Sequence, residues 1–472
     1  MELDADAAAR RDAGRRVVDA LVDWQERRAA APIFQPTPPA RIDALLATPP
    51  PEPPGDLDAL LATLLAAADG GWNKSDGGDL AYVPSGGLAS GALAALLAAG
   101  LHPFTGACDE APALVALEEG VLRWLAGVFG LPAASEGLLL SGGSLANQTA
   151  IVCAREACAS PDGAREAAAF DATRHVAYLS ERAHHSLAKA LRLAGVPAAA
   201  LRQVATDGAT RIDLAALRAQ IAVDRAAGRV PWLVVGTAGS TDTGAIDDLA
   251  ALAAIAREAG CWFHVDAAYG GMFALTARGR ERLAGIDAAD SITVDAHKGL
   301  FLPYGVSALL VRRPGALGRA HAGVGAYQRG LPEPDGLPHY FQRGPELTRP
   351  FRGLLLWLPL QLHGVAAFRA VLDRSLDLAQ EAALRLARVP GLALAGGAPA
   401  LSIVAFRATA GDVQTQAVVD AMNGCGRLHV SSTTLFGHAV ARLAFLHPRT
   451  TRAHLDEAIA IAERTLAQAL AR

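Results

Sequence analysis

Two hydrophobic periods run along this chain, and their alternation sets the expected fold. Near the start Val17, Val18, Leu21, Val22 and Trp24 share one face at helical spacing, which predicts a helix over residues 8–28. Residues 89–100 and 114–129 read the same way, the second with Glu118, Glu119 and Arg123 among its apolar positions. Short apolar runs then take over at 138–140, 175–180, 232–237, 261–265, 291–295 and 305–312, and these read as buried strands. Helical stretches follow, from 144 to about 157, at 184–194 and at 247–259. Such alternation predicts an α/β fold with a mostly parallel sheet covered on both faces.

Two stretches break the pattern. Pro36, Pro38 and Pro39, then Thr48-Pro-Pro-Pro-Glu-Pro-Pro-Gly55, can form neither helix nor central strand. Residues 1–78 therefore read as a helical flap with too little core to stand alone, one that the main domain or a partner subunit must cover. A polar, Gly- and Pro-rich loop at about 320–350 ends the large domain, 79–350. Residues 351–472 mix short strands with helices and read as a smaller α+β domain.

Composition narrows the class. A chain of 472 residues can bury a large core in two or three domains. Its net charge of −4 argues against a nucleic-acid partner. No apolar run approaches the roughly 20 residues of a membrane span, and the acidic start lacks a signal peptide's features, so no membrane partner is expected. The five cysteines show neither CxxC nor His-paired spacing, so no metal site is expected and the cytoplasm is the expected compartment.

Polar residues collect at the C-terminal ends of the apolar runs, the ligand edge of an open α/β sheet. Lys298, in Asp295-Ala-His297-Lys298-Gly299, is one of only three lysines among 43 Lys plus Arg. Arginine stays protonated, whereas a desolvated lysine can attack a carbonyl as a free amine. The plainer reading is a leftover loop lysine. Ser141-Gly142-Gly143-Ser144 opens a helix, where free N–H groups can cradle a phosphate, although a plain turn also fits. Asp266, in His264-Val-Asp266-Ala267-Ala268, is costly to bury without a partner: a cap, a metal ligand, or a carboxylate for a protonated ring nitrogen. Ala268 then leaves room for a flat ring. His184 can cap a helix or stack on that ring. Thr241 lies on another loop at the same edge. Phosphate cradle, acid, stacking imidazole and imine-forming lysine together specify pyridoxal 5′-phosphate, PLP.

At His264-Val-Asp-Ala-Ala-Tyr269 and Asp295-Ala-His-Lys298 the chain resembles the group II PLP-dependent amino-acid decarboxylases, which include aromatic-L-amino-acid, glutamate, histidine and tyrosine decarboxylases. Ala183-His184, Phe351-Arg352 with Trp357, and Arg442 with Arg449-Thr-Thr451 support the match. The resemblance implies a fold type I enzyme with a seven-stranded, mostly parallel sheet and a homodimer whose active sites lie at the subunit interface. It implies Lys298 as covalent anchor of the cofactor and Asp266 as partner of the ring nitrogen. His184 and Ala268 then lie on the two ring faces, with Gly143, Ser144, Asp295 and His297 around the phosphate and Thr241 near the cofactor and the substrate carboxylate. Asp295 departs from expectation, since an acid beside a phosphate dianion repels it; a backbone amide is the alternative partner.

In that family a tyrosine on a loop from the neighbouring subunit protonates the carbon left after carbon dioxide departs. Counting back without gaps from Phe351-Arg352 selects Tyr340, and Tyr327 competes with it. A tyrosine there implies the simple amine product; phenylalanine in relatives goes with aldehydes. The substrate pocket maps near Tyr82-Val83-Pro84-Ser85 and residues 102–110, where the acidic Asp109 and Glu110 discourage glutamate or aspartate. The expected reaction is decarboxylation of an L-amino acid, aromatic by preference. Alternatives are an aldehyde-forming decarboxylase, a decarboxylase of acidic or basic amino acids, and an aminotransferase.

Overall fold

The structure is a computed structural model and describes residues 6–83, 86–159, 170–323, 325 and 336–470. Thirteen strands follow one another along these residues: β1 Phe34–Gln35, β2 Gly71–Trp72, β3 Glu136–Leu140, β4 His175–Ser180, β5 Leu201–Val204, β6 Val230–Thr237, β7 Trp262–Asp266, β8 Ser291–Asp295, β9 Ser307–Val311, β10 Leu392–Leu394, β11 Ile403–Ala408, β12 Ser431–Leu435 and β13 His438–Ala444.

Seven of them build one sheet in the order β3-β9-β8-β7-β6-β4-β5. From β8 to β5 all neighbours are parallel, while β9 runs antiparallel to both β3 and β8. The central strands β7 and β8 are buried along their whole length, as expected for strands with helices on both faces. Helices Gly143–Ala159, His185–Leu193 and Leu249–Ala259 form the crossovers. The C-terminal ends of β4, β6, β7 and β8 therefore open on one edge, and that edge carries the site.

Helix Gly353–Leu386 links this layer to a four-stranded antiparallel sheet, β10-β11-β13-β12, with its own apolar core. By length and composition this helix could cross a membrane. It is interrupted at Gly364, whose φ of 70° and ψ of 150° are not helical, and it packs Leu356, Phe368, Leu372 and Leu376 into the protein core. At the other end of the chain, helix Ala7–Ala29 meets helix Leu57–Ala68 through Arg16–Asp58 at 2.6 Å and Trp24–Asp69 at 2.9 Å. Much of the apolar face of these N-terminal helices stays exposed, including Val17, Val22, Leu46, Leu60 and Leu64.

Of the loop expected over about 320–350, residues 336–350 are irregular apart from a 3-10 turn at Tyr340–Gln342. Residues 336–350 are tied down: Arg349 pairs with the buried Glu118 at 2.5 Å, and Arg343 reaches Glu119 and Glu136, each at 3.5 Å. Tyr327 lies outside the described residues, as do Pro84 and Ser85.

Candidate active site

A cavity of about 320 Å³ opens at the sheet edge. Its floor comes from Gly143 and Ser144 at the start of one helix, Asp266 at the end of β7 with Ala268 beyond it, and Asp295 at the end of β8 with His297 and Lys298 beyond it. His184 and Thr241 join from the loops after β4 and β6. Nine of the ten predicted site residues thus meet in one place.

The tenth does not, and that assignment is corrected. Tyr340 is fully buried within its own subunit. Its hydroxyl donates to Glu119 Oε2 at 3.1 Å, and the Arg349 guanidinium lies 4.6 Å above its ring. Burial pushes its phenol well above the ordinary value. A phenol held this way does not border the cavity.

Asp266 is buried at the end of β7, and its carboxylate accepts from Asn147 Nδ2 at 3.0 Å and from the Ala268 backbone N–H at 3.1 Å. These bonds lower the cost of an ionised acid inside the protein. Lys298 Nζ lies 3.0 Å from Asp295 Oδ2, so the amine has its counter-ion three residues away. Asp295 also accepts from the Ser307 hydroxyl. Its expected alternative, a backbone amide, is not what the carboxylate binds; the pairing with Lys298 is what offsets its charge beside an anion site. His297 is anchored by Nδ1 to the Val306 carbonyl at 3.0 Å, and burial lowers its pKa.

His184 caps helix His185–Leu193, accepting the Ser186 N–H on Nδ1 at 3.3 Å. The capping reading holds, and the same imidazole also borders the cavity. Burial lowers its pKa, so it is neutral near pH 7.

The residues fit PLP by three observations. Glycine at 143 lets the helix start pack against Asp295, whose Oδ1 a Cβ would meet at 2.9 Å, and Gly142, Gly143 and Ser144 bring that N-terminus to the cavity, where it suits an anion. Thr237 Oγ1, bordering the cavity, is buried with no partner among the described residues. A lysine amine and a hydrogen-bonded carboxylate border the same space.

Sequence reasoning missed Asn147, Ser186 and Ser307, which hold these groups. One signal was available: Asn147 sits four residues after Gly143, on the same face of the helix. Asp109 and Glu110, in contrast, do not border the cavity. Asp109 instead approaches His339 at 3.9 Å.

Comparison with known proteins points the same way. The profile described as "Pyridoxal-dependent decarboxylase conserved domain" matches residues 79–409. An aromatic-L-amino-acid decarboxylase of Bacillus atrophaeus is 33% identical over 381 residues, 79% of this chain and 77% of that protein. An L-2,4-diaminobutyrate decarboxylase of Rhizobium meliloti (strain 1021) is 34% identical over 354 residues, 73% of this chain and 68% of that one. The crystal structure of Oryza sativa TDC with PLP and tryptamine superposes with a TM-score of 0.91 at 24% identity, covering 99% of both chains, which is a likeness of fold.

Proposed function

The chain belongs to the pyridoxal-dependent decarboxylase family, and we propose that the amino acid it decarboxylates is aromatic. As a PLP-dependent carboxy-lyase it releases the α-carboxylate as carbon dioxide. When bound, PLP supplies an aldehyde for the substrate amine and a ring that takes up the electron pair of the broken bond.

The chain's own groups do the rest. Lys298 provides the anchoring amine, and Asp295 holds it as a counter-ion whenever it is free and protonated. Asp266 keeps a proton on the ring nitrogen, which makes the ring a stronger electron acceptor. His184 and Ala268 both border the cavity and would lie against the two faces of the bound ring, where the imidazole would exclude water. Tyr327 is assigned the proton returned to the substrate carbon, since Tyr340 is committed to Glu119. The amine is then the product.

One observation carries the substrate reading. Among the described residues bordering the cavity, Lys298 is the only cation of the Lys or Arg type, and it is paired with Asp295. A glutamate or aspartate side chain finds no arginine there to receive its second carboxylate. Tyr304, which borders the cavity, and Tyr82, whose carbonyl shares the Arg442 guanidinium with that of Thr241, are exposed and offer flat apolar surface. The exposed apolar N-terminal helices support a second copy of the chain as their cover, with the two sites near the interface.

Release of carbon dioxide and amine across a panel of L-amino acids tests this. Tryptophan, tyrosine or phenylalanine should exceed glutamate and 2,4-diaminobutyrate in kcat/KM by on the order of 100-fold, about 2.7 kcal/mol of discrimination. A preference for either of the latter contradicts the reading.

A further inference from the structure

Behind the cavity wall lies a chain of buried hydrogen bonds whose polarity can be read end to end. Trp262 Nε1 can only donate, and it donates to Ser291 Oγ at 2.8 Å. Ser291 Oγ also lies 2.8 Å from His264 Nδ1, and it donates its hydroxyl hydrogen there because the proton of that ring is needed on Nε2, toward Asn147 Oδ1. His264 is fully buried and neutral, held at a pKa of about 4 by burial, so its one proton sits on Nε2. That nitrogen faces Asn147 Oδ1 at 3.1 Å.

The Asn147 amide cannot be turned over, because its oxygen would then face the Asp266 carboxylate. Its two N–H bonds are therefore both assigned: one to Asp266 Oδ2 at 3.0 Å, the other to Ser186 Oγ at 3.2 Å. His184 Nδ1 accepts the Ser186 backbone N–H at 3.3 Å and is therefore bare, so Ser186 Oγ donates its own hydrogen to it at 2.7 Å. His184 Nε2 has no partner among the described residues, and the ring borders the cavity.

We propose that Asn147 is a positioning residue that ties together the two sides of the cofactor slot. Its single amide fixes the Asp266 carboxylate and, through the Ser186 hydroxyl, adds to the Ser186 N–H cap in holding His184 as the tautomer with its proton on Nε2, a hydrogen-bond donor toward the cavity. The arrangement holds whichever amino acid is the substrate. It makes Asn147, Ser186, His264 and Ser291 one unit in which each group's direction depends on the next.

Long-range 1H–15N correlation on 15N-histidine-labelled holoenzyme tests it, with H184Q identifying the His184 signals. In the unsubstituted enzyme His184 Nδ1 should be bare and Nε2 protonated; a protonated Nδ1 overturns the proposal. Ser186→Ala keeps both partners of Asp266. It should shift the tautomer ratio toward Nδ1–H by about fivefold, the worth of one neutral hydrogen bond, with PLP affinity unchanged within about twofold. Asn147→Ala should show the same tautomer shift and also weaken PLP binding by about tenfold or more, since a bond to a charged group is lost. Asn147→Leu, apolar and of similar length, replaces N147A should that variant not fold. An unchanged tautomer in S186A, or unchanged PLP affinity in the Asn147 variant, refutes the coupling.

Discussion

Tyr340 gives its hydroxyl hydrogen to Glu119 across 3.1 Å, in a part of the molecule where neither group touches the cavity. Tyr340→Phe should therefore cost stability and spare chemistry. Loss of one buried hydrogen bond to a charged partner is worth about 1.5–3 kcal/mol, readable as a lower denaturant midpoint with unchanged slope. Amine yield should stay normal. Tyr327→Phe should do the reverse, with stability kept, amine reduced at least tenfold and aldehyde formed. Normal amine from Y327F, or its loss in Y340F, exchanges the two assignments.

Gly143 stands where the helix start packs against Asp295. A methyl group there would lie 2.9 and 3.0 Å from the two Asp295 oxygens and 3.3 Å from Ala268 Cβ. Gly143→Ala should weaken PLP affinity by about tenfold or more, measured by fluorescence titration of cofactor-free protein, while the melting temperature of that protein changes little.

His264 gives a pH dependence with a definite sign. Its folded pKa of about 4 is below the ordinary histidine value of roughly 6.5, because burial disfavours the charged ring. The unfolded chain then binds the extra proton first. The stabilisation is fully present above about pH 6.5 and is lost as pH falls toward about 4, a total of roughly 3 kcal/mol. His447, also held at about 4 by burial, adds in the same direction. Urea unfolding followed between pH 7 and 4 should show this loss, and His264→Gln should flatten it by the share of one proton.

Glu118 and Arg349 form a buried pair, their atoms 2.5 Å apart and Glu118 also accepting the Gly353 N–H at 3.2 Å. Glu118→Ala leaves a buried cation without its partner and should destabilise by about 3–5 kcal/mol. The double change Glu118→Leu with Arg349→Met should recover most of that. Full destabilisation in the double variant would contradict the pairing as the source.

Legibility in the sequence followed from how local each feature is. The parallel core strands β6, β7 and β8 stand out because both faces are buried, so they read as continuous apolar runs. The edge strand Leu201–Val204 does not, since its Arg202 and Gln203 lie on the half-buried rim. The antiparallel direction of β9 has no local signature either. Lys298, Asp266 and His184 could be found because each lies at or within four residues of the end of a strand. Asn147 and Ser186 could not, because their roles come from partners 119 and 39 positions away. The Tyr340 assignment failed for the same physical reason: an ungapped count measures chain length, whereas the hydroxyl's fate is decided by Glu119, 221 positions distant.

The chain's own scarcity of lysine makes its central claim easy to test. Borohydride reduction of the holoenzyme, followed by proteolysis and mass spectrometry, should place the reduced cofactor on the peptide holding Lys298, with Lys74 and Lys189 unmodified. Label on either of those two, or on no lysine at all, would contradict the site described here.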